Sequence, residues 1–293
     1  MKKVFFVNNT MTDNHYGCSM VVQNIMKELQ KSNAICVGEM CVGNYKIDEL
    51  ISNQIKESDF VIINGEGSIH DSCDRALSLL LTGVKAKVCY GKKVYLINTS
   101  FMNNDEYMVG LLKYFDGIYV RDVYSYSALV KAGVKACKMP DMTFDSIYKC
   151  QSIKKNAVCV TDSVISDVTK YLYKYCKSIN GMWTPFVNIE NGGNPQDILH
   201  ILEHTGVMIT GRFHAVCLAV QNNIPFLAIE SSTKKIEALL CEFGMMDRLI
   251  KVDCLRDDLV VPEYTIEELK NIRNYVEQAP HNIERVFVKC LND

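Results

Sequence analysis

No stretch of this chain approaches the roughly 20 consecutive apolar residues that would span a bilayer. No run of lysine and arginine interleaves with aromatics as a nucleic-acid surface requires. With 32 basic and 34 acidic side chains the formal net charge is only −2, so no long-range field steers the protein toward polyanions. Nucleic acid is set aside as a partner, and membrane association is reduced to peripheral contact. Cys-x-x-Cys is absent although there are 13 cysteines, an odd number, which argues against a disulfide framework. Several cysteines stand inside apolar runs, among them Ala157-Val158-Cys159-Val160 and Ala215-Val216-Cys217-Leu218. They read as small buried hydrophobes in a reducing cytoplasm. The opening Met1-Lys2-Lys3-Val4-Phe5-Phe6-Val7 breaks into Asn8-Asn9-Thr10. Its apolar run is too short for a signal peptide and no small-residue cleavage site follows, so it reads as a first buried strand.

What is present is an alternation. Short β-rich runs near 3–8, 34–38, 60–63, 93–97, 117–120 and 136–139 are separated by helix-period segments at 18–30, 47–57, 74–87, 106–115 and 122–132. A second series follows, with strands near 157–160, 182–187, 207–210, 225–229 and 249–252 and helices near 164–176, 195–204, 214–222 and 234–243. Twice-repeated α/β alternation predicts two parallel sheets, each covered by helices on both faces. The least periodic stretch, Met139-Pro140-Asp141 to Lys155, is the expected linker. The domains are therefore placed at 1–145 and 146–293, with the last helix packing back on the first domain. That helix opens at Thr265-Ile266-Glu267-Glu268, a capping-box pattern, with a break expected at Pro280.

In open α/β sheets ligands lie beyond the carboxyl ends of strands, so candidate residues should follow strands. Val207-Met208-Ile209-Thr210 ends on Gly211-Arg212-Phe213-His214. A guanidinium clamps carboxylate or phosphate in a fixed fork and an imidazole moves protons near neutral pH, so Arg212 and His214 together suit a small anion that needs acid catalysis. Phe60-Val61-Ile62-Ile63 ends on Asn64-Gly65-Glu66-Gly67-Ser68-Ile69-His70-Asp71. That segment is either a tight βα turn or a cradle whose backbone N–H groups face an anion. Arg121 follows another strand and either pairs with Asp122 or Asp141 to hold a loop or binds an anion. His15 opens the first helix, as a substrate ligand or as a group that starts the helix. His200-Ile201-Leu202-Glu203-His204 matches a zinc-peptidase pattern. It is discounted because Ile198, Leu199, Ile201 and Leu202 already supply the helix's buried stripe and no third ligand stands out, so no metal is expected.

Taken together these segments resemble the polysaccharide pyruvyl transferase family. The matching pieces are Asn14-His15-Tyr16-Gly17-Cys18-Ser19, Asn64 to Ser68, Val120-Arg121-Asp122 with Ser125, Gly133-Val134, Pro140-Asp141, and above all Gly211-Arg212-Phe213-His214 through Ile224-Pro225. The resemblance implies two Rossmann-like domains facing a cleft, as in glycosyltransferase type B enzymes. It implies transfer of pyruvate from phosphoenolpyruvate onto a glycan or lipid-linked oligosaccharide as a cyclic ketal, at the cytoplasmic side of a membrane. Phosphoenolpyruvate is then a donor substrate and no cofactor is required. Arg121, Arg212 and His214 fall on positions that hold and activate the donor, with Asn64, Gly65, Gly67, Ser68, Gly211 and His15 around it. Many relatives carry glycine where Glu66 stands, and a carboxylate there would repel phosphate. Glu66, Asp71 and His15 are the candidates for the acceptor-side base. One rival is a sugar-nucleotide glycosyltransferase with Arg212 on a diphosphate. Glu230 and Glu237, with six residues between them, fall one short of the gap many such enzymes show. A second rival is a non-catalytic anion-binding protein on the same fold.

Overall fold

The computed structural model describes residues 1–146, 148, 150, 157–187 and 192–292; part of the expected linker (147, 149 and 151–155) lies outside them. The chain forms two compact units. One comprises Met1–Thr12, Val21–Asp145 and Ala279–Asp293, the other Asp13–Met20 and Ser146–Gln278.

The first unit is built on β1 (Lys2–Asn9), β2 (Ala34–Cys41), β3 (Phe60–His70), β4 (Lys93–Met102), β5 (Gly117–Val120) and β6 (Cys137–Lys138). They form one parallel sheet in the order β2-β1-β3-β4-β5-β6. Successive side chains of a strand point to opposite faces, and here both faces are apolar. Val4, Phe6, Ile62 and Ile97 pack against Val21, Ile25 and Leu29 of α1 (Tyr16–Lys31). Phe5, Val7, Val61 and Leu96 pack with Ile55 of α2 (Glu49–Glu57) and Leu79 and Leu80 of α3 (Asp74–Tyr90). That is why these strands read as continuous apolar runs rather than alternating ones. α4 (Glu106–Leu111) and α5 (Val123–Lys131) complete the helices of this stretch, each started by an aspartate, Asp105 or Asp122, that accepts from a first-turn amide.

The second unit holds β7 (Ala157–Ser163), β8 (Met182–Trp183), β9 (Thr205–Gly211), β10 (Phe226–Ile229) and β11 (Leu249–Ile250), again parallel, in the order β11-β10-β9-β7-β8. Its helices are α6 (Ser166–Ser178), α7 (Pro195–Glu203), α8 (Phe213–Gln221) and α9 (Lys235–Phe243). Every residue of α8 is buried, as its all-round apolar sequence demands. The chain passes from β7 to β8 on one side and then crosses back from β8 to β9 on the other side of β7. The carboxyl ends of β7 and β9 are thus the topological switch point, where an open sheet leaves a crevice. In the first unit β1 and β3 stand in the same relation.

The last helix, α10 (Ile266–Asn292), runs through Pro280 without the expected interruption. Ile283, Phe287 and Leu291 beyond it are buried in the core of the first unit, and that packing outweighs the lost hydrogen bond at proline. The capping box is formed as the sequence suggests: the Thr265 N–H donates to Glu268 Oε2 at 2.6 Å and the Glu268 N–H to Thr265 Oγ1 at 3.1 Å. All 13 cysteines are free thiols; Cys159 and Cys217 are buried as their runs imply, whereas Cys36, Cys89, Cys241 and Cys254 are exposed. Among the described residues no helix is long and apolar enough to cross a membrane.

Glu268 also holds Arg248, a fully buried arginine that the pattern does not reveal. Its Nε donates to Glu268 Oε1 at 2.8 Å, and its remaining N–H groups reach the carbonyls of Pro262 and Glu263, each at 2.9 Å. The guanidinium lies 4.5 Å from the ring centroid of Tyr264. Truncation would leave Glu268 and the carbonyls of Pro262 and Glu263 without their partner. Arg248→Ala is expected to destabilise the second unit by about 3–5 kcal/mol, read as a lower urea midpoint; an unchanged midpoint would refute the assignment of Arg248 as its internal staple.

Candidate active site

At the switch point of the second unit, Gly211 of β9 lies against Ser163 of β7, and Arg212 is the residue that caps the start of α8. Its backbone N–H donates to Thr210 Oγ1 at 2.9 Å, and Thr210 Oγ1 is 2.6 Å from Thr161 Oγ1. The backbone is therefore tied down on both strands. The guanidinium Nη2 donates to Asp162 Oδ2 in a short ion pair, and Asp162 Oδ1 accepts the Phe186 N–H at 2.9 Å. Arg212 Nε is shielded from solvent and has no hydrogen-bond partner among the described residues. The fork is thus anchored through Nη2, and its Nε–H is left without a partner among the described residues.

His214 follows in the first turn of α8, 6% exposed. Its ring stands edge-on to that of His15, with centroids 5.5 Å apart. His15 comes from the short stretch Asp13–Met20 that belongs to the second unit. Its Nδ1 accepts the N–H groups of Gly17 (3.1 Å) and Cys18 (3.4 Å), so it caps the start of α1, and the ring's other face meets Phe186 at 5.7 Å. Gly17 is required by the approach: a Cβ there would come within 2.2 Å of His214 Cγ. His15 is therefore both a helix-start group and a member of the site.

The electrostatics follow from burial. His15 is held well below the ordinary imidazole value of 6.5, chiefly by desolvation, then by the neighbouring His214, Arg212 and Lys235. With Nδ1 accepting two amides, the neutral ring carries its proton on Nε2. That tautomer decides a further question. His15, Cys18 and His214 are the one group among the described residues with metal-ligand spacing, their donor atoms lying within 4.8 Å. A His15 whose Nδ1 is engaged and whose Nε2 is protonated has no lone pair for a cation, and Arg212 and Lys235 repel one. What the cluster does offer is a convergence of donors: the Arg212 guanidinium, the His15 Nε2–H and the first amides of a nine-residue helix. It suits a small anion.

The other predicted residues lie in the first unit. Asn64, Gly65, Gly67 and Ser68 do not form a βα turn; they continue β3. Glu66 still pairs with Thr99 of β4, and the register shifts before Ile69. Gly65 is pressed onto Thr99, whose Oγ1 would be 2.2 Å from an added Cβ, so the glycine serves strand packing rather than a phosphate cradle. The segment is a buried polar cluster: Asn8 Nδ2 donates to the Asn64 carbonyl at 2.6 Å, and Thr10 Oγ1 and Asn64 Nδ2 donate to Glu66 Oε1 at 2.5 and 2.8 Å. Burial raises the Glu66 carboxyl above its ordinary range, opposed by the Thr10 bond, the Arg121 charge and the Asn64 bond. Of the two readings of Arg121, the ion pair is what the structure contains. Nη1 donates to Asp141 Oδ2 at 2.6 Å, Nε donates to Ser100 Oγ at 3.1 Å, and the side chain is 2% exposed. Asp71 lies on an exposed turn paired with His70, which with Asn103 lowers its pKa and makes it a poor base. His200 is exposed and pairs with Glu203 at 3.2 Å.

Sequence reasoning missed Asp162, Phe186 and Lys235. Asp162 carried a signal, since it follows the apolar run Ala157–Val160 much as Arg212 follows its own; the adjacency of the two strands was hidden. The model of the family described as polysaccharide pyruvyl transferase matches residues 12–233. No curated protein is similar in sequence. Among solved structures, an uncharacterized protein from Klebsiella pneumoniae shares 14% identity over 85% of this chain and 92% of its own, with a TM-score of 0.53. A UDP-GlcNAc 2-epimerase from Neisseria meningitidis shares 11% over 99% and 94%, with a TM-score of 0.51. These likenesses are of fold, that of paired Rossmann-like units of glycosyltransferase type B.

The depressed His15 pKa generates a pH dependence with a definite sign. The folded state releases a proton that the unfolded chain holds, so stability is full above about pH 6.5 and falls as pH drops below it, by up to about 1.4 kcal/mol per pH unit. Urea unfolding of the wild type between about pH 5 and pH 8 should show this slope below 6.5, and His15→Gln should flatten it. Equal slopes in the two proteins would show that His15 is not the buried neutral base described.

Proposed function

Because the chain belongs to the polysaccharide pyruvyl transferase family, we propose that it moves the pyruvyl group of phosphoenolpyruvate onto two hydroxyls of a glycan acceptor, free or lipid-linked, with release of phosphate. The observation that carries this reading is the gathering of Arg212, His214 and His15 at one switch point, with an Arg212 N–H left without a partner. Phosphoenolpyruvate offers a carboxylate and a phosphate, and the groups gathered there beyond the Asp162 carboxylate that anchors Arg212 include a guanidinium, an imidazole N–H and helix-start amides. Arg212 and the α8 amides bind oxygens, and the His15 Nε2–H adds a neutral hydrogen bond. The anion also opposes the electrostatics that keep His15 neutral, and a negative charge beside an imidazole favours its protonated form. Binding the donor thereby arms the acid.

In the chemistry proposed, His214 as imidazolium gives its proton to the methylene carbon, which becomes the methyl group. C2 becomes electron-poor and takes the first acceptor hydroxyl, whose proton is lost to a base. The C2–O bond to phosphate then breaks, the phosphate leaves with the bonding pair, and a second hydroxyl closes the ketal as its own proton departs. Acid catalysis of this kind contributes on the order of a hundred- to ten-thousand-fold. Arg121 takes no part in gripping the donor here, since its fork is committed to Asp141. The competing reading, a sugar-nucleotide glycosyltransferase, draws on fold alone.

Two measurements test this. Phosphoenolpyruvate should raise the melting temperature while UDP-GlcNAc does not; the opposite result would favour the glycosyltransferase. With phosphoenolpyruvate and a p-nitrophenyl galactoside or N-acetylhexosaminide, His214→Gln should lower phosphate release by roughly a hundredfold or more at unchanged fold. Turnover by the variant at the parent's rate would remove His214 from the mechanism.

A further inference from the structure

The carboxyl edge of the second sheet holds another concavity that the donor site does not use. A cavity of about 440 Å³ lies over the exits of β10 and β11 and the start of α6, a volume in the range of small-molecule sites. Its lining combines apolar side chains, among them Val168, Tyr171 and Ile229, with the charged Glu230, Lys251 and Asp253. Tyr171 is 57% exposed although it stands beside buried apolar neighbours. Ser231, also in the lining, has a shielded hydroxyl with no hydrogen-bond partner among the described residues.

We infer that this cavity is the acceptor subsite and that it takes an uncharged sugar ring, a hexose or N-acetylhexosamine. The occupant's identity rests on the pyruvyl-transfer reading; the chemistry of the cavity stands by itself. A sugar ring presents a patch of C–H bonds on one face and hydroxyls around its rim. Tyr171 offers a flat apolar face with a polar tip for the first. Glu230 and Asp253 offer acceptor-only oxygens, which form the stronger, charge-assisted hydrogen bonds to the second. Charge separates the two sites on this edge. Arg212 and Lys235 gather beside the imidazoles, whereas the cavity has two carboxylates against one ammonium and so disfavours an anionic donor. β10, which ends in Glu230, is the direct neighbour of β9, which leads into Arg212. Donor and acceptor are thereby delivered to adjacent strand ends.

Binding is measured on the full chain without donor, by saturation-transfer NMR with the methyl glycosides of galactose, glucose and N-acetylglucosamine. At least one should bind, and Tyr171→Ala and Glu230→Gln should each weaken it roughly tenfold or more, with Tyr171→Phe restoring most of the affinity. The melting-temperature rise caused by phosphoenolpyruvate should be the same in all of them. Absence of transfer to any glycoside, or variants that bind as the parent does, would overturn the subsite. If glycosides bind and the variants lose them while phosphoenolpyruvate has no effect on melting, the subsite stands and the pyruvyl-donor reading fails.

Discussion

The ion pair between Asp162 and Arg212 sets the geometry of everything around it. A partly buried guanidinium left without a counter-charge would swing to solvent or distort the strand ends that carry it. Asp162 prevents both, and its second oxygen, accepting the Phe186 amide, fixes the carboxylate in turn. Anchoring has a functional side. A fork held by one edge keeps its other N–H groups in a constant direction, which on the proposed donor-binding reading lessens the reorganisation that binding requires. The ring of Phe186 packs on His15, so the chain that positions the arginine also positions the imidazole.

The same residue type at an equivalent place in the first unit meets a different fate. Arg121 also follows a buried strand, yet Asp141 and Ser100 take its donors and the side chain is sealed from solvent. The difference lies in the carboxylate's surroundings. Asp141 uses its other oxygen on the backbone and hydroxyl of Thr143, which closes the segment over the pair. Asp162 leaves Arg212 with an N–H to spare. One arginine organises a loop, and the other is the one proposed to meet the donor. Residue identity and strand position are the same for both, so neither could tell them apart.

The neutral His15 illustrates how burial and neighbouring charge act together. Desolvation, a second imidazole and two cations all oppose protonation, and two helix-start amides hold the ring in one tautomer. The combination turns a cluster with metal-like spacing into a set of hydrogen-bond donors. On the proposed reading, an anion bound beside the His15 ring would raise its affinity for a proton, the condition for acid catalysis that depends on the bound donor.

The sequence alone determined the twice-repeated parallel α/β fold, because hydrophobic period and strand length are local properties, and it determined that Arg212 and His214 leave one strand together. It also contained the capping box at Thr265, a local arrangement of four residues. Strand order was not legible. That β7 lies beside β9, which makes Asp162 the partner of Arg212, depends on which long-range pairing buries most apolar surface. The continuity of β3 through Gly65, Glu66 and Gly67 depends on Thr99 of a neighbouring strand, and the passage of α10 through Pro280 on the core that receives its far end. The closing of Arg121 onto Asp141, twenty residues away, belongs with these. Such outcomes are decided by contacts between segments far apart in the chain, whose free energies no local pattern records.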